Sequence, residues 1–216
     1  MSFDVICFDC DSTLSKIEGI DELAKQAGLG DALSALTDAA MNGVVPLEAV
    51  YEQRLSMIKP HKSDIDWLAD LYIAEQVEGV REVFAELLAQ GKEVHIISGG
   101  LRVAILPLAE FLGLPQAHVH AVDIYFDEDG NYRDYDRYSP LAKTGGKAQI
   151  AAKLARQGSL AMIGDGKTDM EAKQAGAFVI GFGGVADRAI VRELADVFIE
   201  GNSLLPVLGY LIAPSK

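Results

Sequence analysis

Two hydrophobic rhythms alternate along most of the chain. Short β-rich runs occupy residues 3–8, 93–97, 118–122, 160–163, 177–180 and 197–199. Between them, apolar residues recur at helical spacing, for example over 78–90, 101–112 and 147–157. Strand–helix alternation of this kind predicts an α/β fold, a Rossmann-like parallel sheet with helices on both faces. Asp127-Glu128-Asp129-Gly130-Asn131, flanked by Tyr- and Phe-bearing stretches, predicts a small hairpin after the third strand.

The rhythm breaks once. No strand signal appears from Ser15 to Glu75, where apolar residues repeat at helical spacing in 20–27, 33–41, 47–58 and 65–73. The breaks fall at Gly28/Gly30, Gly43/Pro46 and Pro60. Four helices on short loops predict a small inserted bundle. The expected organisation is an α/β core of residues 1–14 and 76–216 carrying a four-helix cap of residues 15–75.

Composition narrows the function classes. The chain is 216 residues long and half hydrophobic, enough to bury a sizeable core. Nineteen Lys+Arg against 32 Asp+Glu leave a net charge of −13. Such a surface repels nucleic-acid phosphates and anionic lipid, so neither nucleic acid nor membrane is an expected partner. An anionic ligand would have to be met by a local cluster of cations, dipoles or metal. No apolar run reaches the ~20 residues that span a bilayer, and the first residues do not read as a secretory leader. The expectation is a cytoplasmic protein, with the oligomeric state left open, a homodimer included.

Open parallel sheets bind ligands at the carboxyl ends of their strands. The first strand is followed by Asp9-Cys10-Asp11-Ser12-Thr13, the second by Ser98-Gly99-Gly100, and the 160–163 strand by Gly164-Asp165-Gly166-Lys167-Thr168-Asp169. Thr144-Gly145-Gly146-Lys147 precedes a helix. All four would converge on one edge of the sheet. At ~4 Å, each like-charge pair among Asp9, Asp11, Asp165 and Asp169 would cost about 4 kcal/mol at an effective dielectric of 20. The cluster therefore predicts a divalent cation, and hard carboxylate oxygens select Mg²⁺. Ser98 supplies a hydroxyl, Gly99 and Gly100 supply N–H groups expected at a helix N-terminus, and Lys147 supplies a point charge. A carboxylate nucleophile, a metal, oxyanion donors and a lysine fit phosphoryl transfer.

Each residue also has a plainer reading. Thr168-x-x-Glu171 has the spacing of a capping box, with Asp169 favouring the helix dipole. Ser98 could simply cap a helix, and Lys147 could be a solvated surface lysine. Gly166-Lys167-Thr168 imitates the end of a P-loop, but Ala161 stands where the required glycine would be. Gly181-Phe182-Gly183-Gly184 lacks dinucleotide-binding spacing. Cys7 and Cys10 form a C-x-x-C, but they lie on a strand and its exit beside Asp9 and Asp11, which would raise a thiol pKa. They are expected to be packing residues rather than a redox pair.

With these residues in place, the chain resembles the haloacid dehalogenase superfamily and, within it, the phosphoserine phosphatase branch. Asp9-Cys10-Asp11-Ser12-Thr13 matches the D-x-D-x-T motif, and Ser98, Lys147 and Gly164-Asp165-Gly166-x-Thr168-Asp169 match the remaining three. Glu18-Gly19-Ile20-Asp21-Glu22-Leu23-Ala24, Met41, Val45-Pro46 and Tyr51-Glu52-Gln53-Arg54-Leu55 resemble the branch's cap. The resemblance implies hydrolysis of O-phospho-L-serine to serine and phosphate, the last step of serine biosynthesis. Asp9 would be the nucleophile and Asp11 the acid and then the base. Mg²⁺ would be held by Asp9, the Asp11 main-chain carbonyl and Asp165, with Asp169 supporting them. Ser98, Gly99 and Lys147 would hold phosphoryl oxygens, and Met41 and Thr168 would line the substrate site.

Glu18 would meet the substrate ammonium and Arg54 its carboxylate. The plainer alternatives are that Glu18 caps the first cap helix and that Arg54 pairs with a neighbour such as Glu48. Some family members carry Asn at the Thr168 position and Phe at the Leu47 position; Thr keeps a hydroxyl and Leu an apolar wall. Lys167 is an added cation near the acids, with no role that the sequence supplies. Two neighbouring activities stay open, transfer of the phosphoryl group to another hydroxyl and hydrolysis of other small phosphomonoesters. A receiver domain, which also phosphorylates an aspartate at a strand end, is the alternative of another class. A lid over the site argues against it.

Overall fold

The computed structural model describes residues 2–42 and 44–212, without the side chains of Asp31, Ala32 and Ser34. Met1 and the predicted break at Gly43 lie outside the described residues. The chain runs through β1 (Val5–Phe8), four helices α1 (Gly19–Gln26), α2 (Gly30–Met41), α3 (Leu47–Ile58) and α4 (Lys62–Ala74), then α5 (Val80–Ala89) and β2 (Glu93–Leu101). It continues through α6 (Arg102–Phe111), β3 (Val119–Val122), β4 (Ile124–Phe126), β5 (Tyr132–Tyr135), α7 (Gly146–Leu154) and β6 (Leu160–Gly164). The single turn α8 (Lys167–Met170), β7 (Phe178–Phe182), α9 (Ala189–Leu194), β8 (Val197–Ile199) and the short α10 (Leu208–Leu211) complete it.

Six parallel strands lie in the order β3-β2-β1-β6-β7-β8. Every residue of β1 and β6 is buried. That is why these strands read as unbroken apolar runs rather than alternating ones. Phe8 and Phe84 pack ring to ring at 5.0 Å beneath the sheet's centre. Successive strands spread outward from β1 on one side, and β6 restarts the sheet on the other. Phe8 is level with both Ile96 and Ile163, so β1, β2 and β6 present their carboxyl ends side by side. The crevice between β1 and β6 is therefore the switch point where such sheets bind ligands.

The four helices lie where the spacing places them, with local corrections. Gly28 breaks α1 from α2 with φ +74°, but Gly30 already belongs to α2. His61 caps α4 by accepting from the Ser63 N–H, while Asp64 accepts from the His61 N–H. The chain leaves the sheet and returns to it through two adjacent segments. Lys16 N–H donates to Glu75 O at 2.8 Å and Val77 N–H donates to Leu14 O at 3.0 Å. The hairpin β4–β5 forms, closed by Asp127 and by Gly130 at φ +86°. It also touches the helices: Lys62 N–H donates to Gly130 O, and Tyr51 packs against Tyr135 with the rings tilted and their centres 5.1 Å apart. Among the described residues, no helix is long and apolar enough to cross a membrane.

Candidate active site

β1 ends at Phe8, and its carboxyl end delivers Asp9 to the switch-point crevice, 2% exposed. One Asp9 oxygen accepts from the Cys10 N–H at 2.8 Å, and the other lies 2.8 Å from Lys147 Nζ. Lys147, the second residue of α7, is buried and bridges Asp9 to Asp169 at 2.6 Å. Burial opposes the ammonium, but Asp169 and Asp9 outweigh it and hold its pKa above the ordinary lysine value. The solvated-lysine reading is thereby excluded.

Asp169 accepts from the Gly166 N–H at 3.0 Å through its other oxygen. The start of α8 is thus capped by Asp169, not by a Thr168–Glu171 box. Glu171 instead accepts from the Gly145 N–H, so its carboxylate is committed to a different loop. Gly164 is required here because a Cβ would overlap the Asp169 carboxyl. Asp165 is buried, accepting from the Thr13 hydroxyl at 3.3 Å and from Arg188 Nε at 3.4 Å.

Donor oxygens of Asp9, Asp165 and Asp169 lie within 4.8 Å of one another. Burial and then the Asp9 charge push Asp165 up to about 7, and burial and Asp9 raise Asp169 well above its usual value. Three buried carboxylates that resist sharing their charge fit a hard divalent cation, whose preferred donors are oxygens.

Asp11 faces the other way. Its Oδ1 accepts from the Gly19 N–H at 2.6 Å and the Tyr72 hydroxyl at 2.7 Å, while Oδ2 lies 3.3 Å from Ser98 Oγ. Its carboxylate is thus not among the clustered oxygens. Burial first and Asp9 second raise its pKa. The Ser98-Gly99-Gly100 stretch corrects the sequence expectation. It belongs to β2, which runs irregularly on to Leu101, and α6 starts only at Arg102. Ser98 caps no helix, and the Gly100 N–H is bonded to Ser98 Oγ at 2.9 Å. Main-chain irregularity at the strand end, not a helix N-terminus, presents these groups.

The helices α1–α4 supply the facing wall. One pocket is lined by Asp9, Asp11, Glu18, Met41, Leu47, Arg54, Tyr72, Gly99, Lys147 and Thr168. Glu18 makes no cap hydrogen bond; its carboxylate accepts from Ser12 Oγ at 2.7 Å. Burial, then Asp11 and Asp165, raise its pKa well above the usual glutamate value. Ser12 holds this geometry from a left-handed backbone, φ +51°, which costs energy in a residue with a Cβ.

Arg54 is 4% exposed and does not pair with Glu48, which instead accepts from the Thr144 N–H and hydroxyl. Its Nη1 donates to Thr37 Oγ1 at 2.9 Å, and Thr37 donates to Asp21. No carboxylate among the described residues lies within ion-pair distance of Arg54. Its Nε and the Thr168 Oγ1 are buried with no hydrogen-bond partner. Both residues line the one pocket, so two polar atoms there await a ligand.

Sequence reasoning missed Arg188, Tyr72 and the Thr37–Asp21 relay. Tyr72 and Thr37 sit at helical positions that periodicity assigns to packing. Arg188 had a readable signal, since it follows β7 at the same sheet edge. Its Nη1 reaches Asp38 of α2 at 3.1 Å. Replacing it with Met removes the cation that draws Asp165 toward ionisation. The expected result is a metal activation constant raised ~10-fold with a smaller change in kcat, read from metal titrations of activity. Lys167 lies beside a shallow cleft with Glu48 and Thr144, and the structure assigns it no role. Cys7 and Cys10 are buried free thiols whose pKa values burial raises, as expected of packing residues.

The haloacid dehalogenase-like hydrolase family pattern matches residues 3–176. The human protein named phosphoserine phosphatase is 39% identical, over 97% of this chain and 94% of its own length. A solved structure described as a substrate-bound phosphoserine phosphatase complex superposes with a TM-score of 0.84 at 27% identity, covering 98% of this chain and all of the other. Another, described as a phospho-aspartyl intermediate analogue of phosphoserine phosphatase, superposes equally well.

Proposed function

The chain belongs to the haloacid dehalogenase-like hydrolases, and from that premise we propose that it hydrolyses O-phospho-L-serine to serine and phosphate, with Mg²⁺ as its metal. The observation that carries the substrate is the buried, unpaired guanidinium of Arg54 in the same pocket as the acids. A desolvated cation without a counter-ion is costly, and a substrate carboxylate would relieve it. Glu18, crowded by acidic neighbours, is matched in the same way by the substrate ammonium. The Thr168 hydroxyl and Gly99 add polar contacts, Met41 and Leu47 an apolar wall.

A carboxylate oxygen of Asp9 attacks phosphorus as the serine oxygen departs, leaving an aspartyl phosphate. Asp11 delivers the proton to that oxygen. Its Oδ1 already takes two donors and Oδ2 only the long bond from Ser98 Oγ, so Oδ2 is the less committed site for the proton, and the raised pKa suits a group that must hold one. Asp11 then draws the proton from water attacking the aspartyl phosphate, restoring Asp9 and releasing phosphate. Lys147 and Ser98 hold the phosphoryl oxygens, and Asp169 positions Lys147. The ion would be held by Asp9, Asp165 and the Asp11 main-chain carbonyl, supported by Asp169, and when bound it would neutralise charge on the phosphoryl group. Residues 15–75 act as the cap that excludes water, pivoting where segments 14–16 and 75–77 run together.

Phosphate release from O-phosphoserine and from phosphoethanolamine, with Mg²⁺ and with chelator, tests this reading. Arg54→Ala should lower kcat/KM for phosphoserine ~100-fold or more, the scale expected for losing a buried charge pair. Phosphoethanolamine, which has no carboxylate, should be nearly indifferent to the change. Equal losses on both substrates would remove Arg54 from carboxylate recognition.

A further inference from the structure

At the other end of the sheet, three of the chain's four histidines gather around β2 and β3. Positions 93 and 95 of β2 share a face because they are two residues apart, while His120 lies on β3 and His118 on the turn that leads directly into it. The His95 ring stacks on His118 at 4.3 Å and lies 5.2 Å from His120. Glu93 Oε1 is 3.0 Å from His95 Nε2. One donor atom each from Glu93, His95 and His118 all lie within 4.8 Å of one another.

We propose that Glu93, His95 and His118 form a second metal site, for a divalent ion of the zinc class, remote from the catalytic acids. Two imidazoles and a carboxylate favour zinc over magnesium, whereas the all-oxygen cluster at the opposite strand ends favours magnesium. Each ring is already oriented through its other nitrogen. His118 Nδ1 lies 2.8 Å from the Val94 carbonyl, and His95 Nδ1 lies 3.1 Å from His120 Nε2. Hydrogen bonds of this kind hold metal-ligating imidazoles in place and set which nitrogen is free. His95 is buried, but Glu93 and His118 are partly exposed, which leaves an entry path from solvent. Among the described residues β3 is the edge strand and pairs only with β2, so an ion here would fasten the sheet's edge.

The test adds zinc chloride to the full chain in saturating Mg²⁺. Bound zinc is measured by equilibrium dialysis, and the melting temperature and imidazole NMR signals are followed in parallel. One zinc per chain should bind, raise the melting temperature and move the His95 and His118 signals but not that of His61. Glu93→Gln and His118→Gln should each weaken binding at least ~10-fold, while Asp165→Asn retains it. Unmoved His95 and His118 signals in the unmodified protein would overturn the proposal, as would undiminished zinc binding in both variants. Loss of all zinc binding in Asp165→Asn would do the same, by placing the ion among the catalytic acids.

Discussion

Asp9→Asn should reduce phosphate release from O-phosphoserine at least a thousandfold, about 4 kcal/mol of transition-state stabilisation. An amide is nearly isosteric, and its carbonyl can keep accepting the Cys10 N–H, so the fold should survive. What disappears is the charge and nucleophilicity of the carboxylate. Substrate affinity should hold or improve, because one negative charge facing the phosphoryl group is gone. Calorimetry of phosphoserine binding, set beside turnover, separates the two effects. Acid-quenched variant should also carry no protein-bound phosphate. Turnover within tenfold of the unmodified protein would assign the nucleophile elsewhere.

Asp11→Asn carries the second largest expected loss, ~10² to 10⁴ in kcat, the range for removing a positioned acid and base. The amide oxygen can still accept from Gly19 and Tyr72, so a purely structural Asp11 would be replaced with little effect. A catalytic Asp11 would not. With p-nitrophenyl phosphate, whose leaving group needs no protonation, the first step should largely survive and the second should not. The expected signature is a burst of about one p-nitrophenolate per chain, followed by slow turnover and a trapped acyl phosphate. Smooth kinetics without a burst, at a rate near normal, would exclude the acid–base role.

Much of this site could be read along the chain because its chemistry is carried at strand ends. The run Val5–Phe8 is apolar throughout because β1 is covered on both faces, and whatever polar residue ends it must emerge at the sheet's edge. That reasoning reached Asp9, Asp11, Ser98, Asp165 and Asp169 without any coordinates. It misplaced the details wherever a local rule had a competitor. Thr168 looks like a cap, but the Gly166 N–H is taken by Asp169, and the threonine hydroxyl is left unpartnered. Ser98-Gly99-Gly100 looks like a strand-to-helix turn, but pairing with β3 is resumed at Leu101 and postpones the helix.

Periodicity and strand-end chemistry by themselves determined the individual strands, the inserted helices and which acids stand at strand ends, since each of these is written in a short stretch of chain. Only the tertiary structure decided that Arg54 has no counter-ion among the described residues, that Asp11 turns toward Tyr72 and Ser98, that Arg188 reaches both Asp165 and Asp38, and that three histidines meet at the sheet's edge. These facts depend on which groups are desolvated together. Burial and pairing set the energy of a charge, and neither is a property of the residue or of its neighbours in the chain.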